Sequence, residues 1–91
     1  MPKGTEALTD PVLGNARGEL SHSNRPAALE NYDRLITKGR FLEDVIHDLR
    51  EATYRFPVDV KILQSLGDAY MRSNRLQDAL DSYTKAEELL R

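Results

Sequence analysis

An all-α fold, a short solenoid of about five antiparallel helices, is what the sequence predicts, and three kinds of observation predict it. Apolar residues recur at helical spacing, as in Leu63, Leu66 and Tyr70 and again in Ala79, Tyr83 and Ala86. Short breaks separate such runs at Gly39, at Pro57 and at Ser73-Asn74-Arg75. Laid on itself at a shift of about 34 residues, the chain matches apolar to apolar. Leu29 falls on Leu63, Tyr32 on Leu66, Ile36 on Tyr70 and Leu42 on Leu76, while Val45, Ile46, Leu49 and Ala52 fall on Ala79, Leu80, Tyr83 and Ala86.

Each element has a local reason. Residues 1–9 carry Pro2, Gly4, Thr5 and Thr9 with little to bury, and a disordered tail is expected there. Residues 10–91 form the domain. A short helix over about 10–21 starts at Asp10-Pro11 and places Val12, Leu13, Ala16 and Leu20 on one face, despite Gly14 and Gly18. The next runs from about Pro26 to Lys38, with Pro26 suited to a first turn and Gly39 to a stop. Its apolar stripe is Ala28, Leu29, Tyr32, Leu35 and Ile36. A third helix spans about Phe41 to Phe56 and is closed by Pro57. A fourth spans about Val58 to Arg72. The last, about Leu76 to Leu90, is expected to start from a capping box of Asn74 with Gln77.

Leu63, Leu66, Gly67 and Tyr70 followed by Ala79, Tyr83 and Ala86 resemble the tetratricopeptide repeat, a helix-turn-helix unit of about 34 residues. The resemblance implies a TPR-like helical-repeat solenoid with repeat one over about 26–57 and repeat two over about 58–91. Small residues at Gly67 and Ala79 let the helices of the second unit pack at close range. The first unit departs from the pattern with Tyr32-Asp33 in place of Leu-Gly and Val45 in place of Ala. A rival registration pairs the first helix with the second, because Ala28, Tyr32 and Leu35 also resemble a second-helix pattern.

Such repeats bind proteins, so the function expected is a non-catalytic protein–protein interaction module, a scaffold or adaptor of bacterial style that takes a peptide or partner helix. The resemblance places the binding face on the first helix of each unit: Glu30, Arg34 and Lys38, with Ala27 and Thr37, and then Lys61, Gln64, Asp68, Met71 and Arg72. The cations there could pair with an acidic peptide or a C-terminal carboxylate. Gln64 and Asp68 stand where chaperone-binding members carry Lys and Asn, which excludes a chaperone C-terminus. The chain stops at Arg91 with no further helix over the last unit, so Leu76, Leu80, Tyr83, Leu89 and Leu90 form a second candidate surface for a homodimer or a partner helix.

Composition excludes other classes. Lys and Arg number 13 against 15 Asp and Glu, a net charge of -2, so no nucleic-acid partner is expected. No apolar run reaches the ~18 residues of a membrane span, which implies no membrane partner and a cytoplasmic location. Cysteine is absent. His22 and His47 lack ligand spacing, Ser23 beside His22 has no third group, and the glycines form no phosphate loop, so no metal, cofactor or catalytic residue is expected. Glu43, Asp44, Asp48 and Glu51 alternate with Arg40, Arg50 and Arg55 as a solvated helix face.

Overall fold

A computed structural model describes residues 9–91, which fold into five helices without a strand among the described residues. They are α1 (Pro11–Ser21), α2 (Arg25–Lys38), α3 (Leu42–Arg55), α4 (Val60–Arg72) and α5 (Leu76–Leu89). The expected tail lies outside the described residues except for Thr9, which is exposed.

Local chemistry sets most boundaries. The Asp10 side chain accepts from the N–H groups of Val12 and Leu13, both at 3.0 Å, and Pro11 follows it. At α4 the cap is Asp59, which accepts from Lys61 and Ile62, so the helix begins two residues later than Val58. A carboxylate there satisfies otherwise orphaned N–H groups, whereas Val58 offers no such acceptor.

Helices α1, α2 and α4 end alike. Beyond each last turn a residue adopts a left-handed conformation: Ser23 (φ 61), Gly39 (φ 66) and Asn74 (φ 61). After α2, the Gly39 N–H donates to the Ile36 carbonyl and the Arg40 N–H to that of Leu35, the paired bonds of a Schellman motif. Ser23 and Asn24 repeat this on Leu20 and Glu19, and Asn74 and Arg75 repeat it on Met71 and Tyr70. Here lies the reason that the expected capping box is absent. Asn74 is committed to ending α4, and Arg75 precedes α5 without a side-chain cap bond. The α1–α2 and α4–α5 turns share one geometry, while the α2–α3 turn adds Phe41, also left-handed at φ 52.

Packing centres on α4, whose Ile62, Leu63, Ser65, Leu66, Gly67, Ala69 and Tyr70 are all buried and which touches α2, α3 and α5. The closest pairs are α4 with α5 and α1 with α2, whereas α2 and α3 meet at few points. Where the second unit has Gly67 and Ala79, the first carries Asp33 on α2 and Val45 on α3. A polar clamp compensates. Arg17 of α1 grips Asp48 of α3 through Nε (2.7 Å) and Nη2 (3.2 Å), and the buried Tyr32 hydroxyl of α2 donates to the same carboxylate at 2.8 Å. Burial, and then the Asp48 charge, push the Tyr32 phenol well above its usual range.

The α4–α5 contact turns on one missing atom. A Cβ added at Gly67 would lie 2.5 Å from Tyr83 Cε1 and 2.7 Å from Cδ1, so the ring rests directly on the α4 backbone. We expect Gly67→Ala to overpack this contact and lower stability by about 1–2 kcal/mol, despite better helix propensity. In a Tyr83→Ala background the same change should stabilise by up to about 1 kcal/mol, because only the propensity gain remains. Urea denaturation of the four proteins checks the inversion of sign. Equal effects in both backgrounds would break the link between glycine and ring.

Candidate functional site

Residues expected on the binding face come from α2 and α4, and cross-helix bonds hold these two side by side. At their starts Arg25 Nη1 donates to Asp59 Oδ2 at 3.1 Å, with its guanidinium 4.2 Å from the centroid of the Phe56 ring. Midway the Ser65 hydroxyl donates to Asp33 Oδ1 at 2.9 Å. At their ends Arg72 donates from Nε to the Ile36 carbonyl (3.2 Å) and from Nη2 to that of Thr37 (3.3 Å). Gly39 leaves room for this guanidinium, which would lie 3.2 Å from a Cβ there. The pairing residues are 32 to 36 positions apart, so α2 and α4 run in the same direction, in step.

Between them opens a hollow of about 320 Å³ lined by Glu30, Asp33, Lys61, Gln64, Ser65 and Asp68, with Pro26 and Leu29 at its apolar side. The hollow therefore gathers Glu30, Lys61, Gln64 and Asp68 from the expected set. Arg34 and Lys38 lie exposed on α2 outside it, and Met71 is exposed further along α4. Arg72 is engaged at the end of α2 rather than free.

Asp33 and Ser65 are the lining residues that periodicity missed. The visible signal was Asp33 itself, a carboxylate standing where the second unit has glycine. They make the hollow acidic, with Glu30, Asp33 and Asp68 around Lys61. Partial burial raises the Asp33 carboxyl above its usual range; the Ser65 hydrogen bond opposes the shift and the nearby Asp68 charge adds to it. Such a wall can accept hydrogen bonds from amide, guanidinium or ammonium donors.

On the last helix, Leu76 (56% exposed), Leu80 (58%) and Leu90 (67%) stand in solvent, and Leu89 is partly open. Tyr83 is half-buried: its ring covers Gly67 and its hydroxyl donates to Asp68, linking the second surface to the first. His22 Nδ1 lies 2.7 Å from the Gly18 carbonyl, and His47 is exposed on α3. No helix among the described residues is long and apolar enough to cross a membrane.

Antiparallel helix pairs displaying polar faces around a shared central helix define a helical-repeat domain. Residues 5–91 match the family model of the bacterial transcriptional activator domain, a regulatory family, and the chain belongs to it. No curated protein and no solved structure matches the chain. Membership corrects one expectation. Nucleic acid was excluded from the partners on charge balance, but domains of this family belong to transcriptional activators, which bind DNA. A net charge of -2 averages over every face of one domain and does not report what the activator contacts.

Tyr83 offers a titration test. Burial first, and then the bond to Asp68, raise its phenol from its ordinary value near 10 to about 12. Between those values the folded chain holds a proton that the unfolded chain has lost. Its contribution to stability is therefore complete below pH 10 and falls as pH rises toward 12. The urea midpoint of the native sequence should drop more steeply over this window than that of Tyr83→Phe, and parallel slopes would contradict the assignment.

Proposed function

We propose that this domain is the non-catalytic protein-interaction part of a bacterial transcriptional activator, working in the cytoplasm. It is built from repeats of the tetratricopeptide type, with an N-terminal helix at 10–21 and units over about 26–57 and 58–91. It takes a peptide or partner helix on the face of α2 and α4. One observation carries the reading: the hollow that brings Glu30, Lys61, Gln64 and Asp68 together between helices tied at both ends. Arg34, Lys38 and Met71 extend that face, and Arg72 supports it by closing α2. Because the walls are held in place before binding, little conformational entropy is lost when a ligand docks.

Charge reversal tests this face. A variant with Arg34, Lys38 and Lys61 changed to Glu should keep its helical circular dichroism and melting temperature. It should lose at least one bacterial protein that the immobilised native domain enriches by quantitative mass spectrometry. Identical partner sets would remove the face from consideration.

A second reading is favoured by the exposure of Leu76, Leu80 and Leu90: a homo-oligomerising element that uses the last helix, with Tyr83 and Leu89 at its edge. Sedimentation velocity would then show a dimer that Leu76→Glu with Leu80→Glu converts to monomer. A native monomer at several hundred micromolar would rule this reading out.

A further inference from the structure

The tight seat of α5 on α4, together with the separate packing of α3 on α4, leaves a trough between α3 and α5. Leu63, Leu66 and Tyr70 of α4 form its floor. Two hollows make it up, of about 290 Å³ and about 380 Å³, and they share Thr53, Tyr54, Leu63 and Lys85, so the trough is continuous. Its ends differ. Toward the C-terminus of α5 the lining is Tyr54, Pro57, Leu63 and Leu89, with Tyr54 73% exposed on the lip and Glu88 at the rim. The other end is polar. There Arg75 sits 4.9 Å from the Tyr70 ring centroid and is tied to Asp78 at 3.1 Å, while Asp81 accepts from Gln77.

Arg50 on the α3 wall and Lys85 on the α5 wall face the same hollow, and neither has an ion-pair partner among the described residues. The available cations are thus set on opposite sides of one space. Its carboxylates lie beside them on α5, with Asp78 tied to Arg75, Asp81 to Gln77 and Glu88 at the rim. The wall hydroxyls of Ser82 and Thr53 are already committed, to the Leu63 carbonyl at 2.7 Å and to the Arg50 carbonyl at 2.6 Å. Helical walls have paired their own backbone groups and present no amide side chain here, so an extended strand would leave its backbone half-satisfied. A helix arrives with its backbone already paired. From Asp78 to Leu89 the wall runs roughly 16 Å, about three turns of a bound helix.

The geometry points to the α3–α5 trough as a second docking surface, which takes an amphipathic helix of a protein partner with its apolar stripe over Tyr54, Leu63 and Leu89 and an acidic side chain between Arg50 and Lys85. This surface is distinct from the α2–α4 face and stands or falls separately from it. The apolar end supplies affinity through buried area, and the paired cations fix direction and select charge.

The test uses the whole chain, labelled with nitrogen-15, and synthetic helical peptides of about four turns. Each peptide has a leucine stripe, and the flank carries Glu in one version and Lys in the other. The Glu peptide should give saturable amide shifts concentrated at 50–54 and 78–89. Arg50→Glu and Lys85→Glu should each weaken it about tenfold or more, as should the Lys version of the peptide. Tyr54→Ala should weaken it several-fold, and Arg34→Glu with Lys38→Glu should leave it unchanged. These positions are exposed, and melting temperature confirms that each variant folds. Shifts confined to α2 and α4, equal affinity for both peptides, or no saturation would overturn the proposal. Displacement of the peptide by a short DNA duplex through Arg50 and Lys85 would also overturn it, because those cations would then serve phosphate.

Discussion

At Gly67 the backbone of α4 carries no Cβ, and the Tyr83 ring occupies the space that one would fill. Contact between the ring and bare helical backbone fixes how near α5 can come, and the buried Ala79 and Ala86 keep the rest of the seam narrow. Since α3 packs on α4 separately, the two outer helices leave their common neighbour open between them. Leu63 and Leu66 become the floor of a trough in this way. The hydroxyl at the far end of the same ring reaches Asp68 on the α2–α4 face. A single close approach therefore shapes both sides of α4.

The first half of the domain solves the same problem differently. Here α2 and α3 meet at few points, and charge takes over from close packing. Asp48 receives Arg17 from α1 and Tyr32 from α2, so three helices converge on one carboxylate. Buried hydrogen bonds to a charged group hold strongly only while every partner is present, which makes this half more dependent on individual side chains than the other.

What the sequence disclosed follows the range of the physics. The helices, the start at Pro26 and the stops at Gly39 and Pro57 were legible because propensity and periodicity act over a few residues. The role of Gly67 was legible because a glycine set among large apolar residues on one helix face leaves a gap that a close neighbour must fill. Arg72 was not. It reads as an exposed cation on a binding face until the fold brings the end of α2 beside it. The Asp33–Ser65 pair was hidden for the same reason, since no local pattern reports a bond across 32 residues. Asn74 misled because two local rules competed for it, and ending α4 won over starting α5. Counting charges likewise could not reveal membership of a domain family that belongs to transcriptional activators, because a sum carries no spatial information.

Cross-ties join α2 to α4 at Arg25–Asp59 and at Arg72 with the last carbonyls of α2. Fastened near both ends, the two helices are held in register, and sliding one along the other would break these bonds. The α2–α3 corner lies outside these ties, and there Phe41 sits in an unfavourable left-handed conformation. The ties that align one pair of helices thus leave the strained turn residue outside that pair.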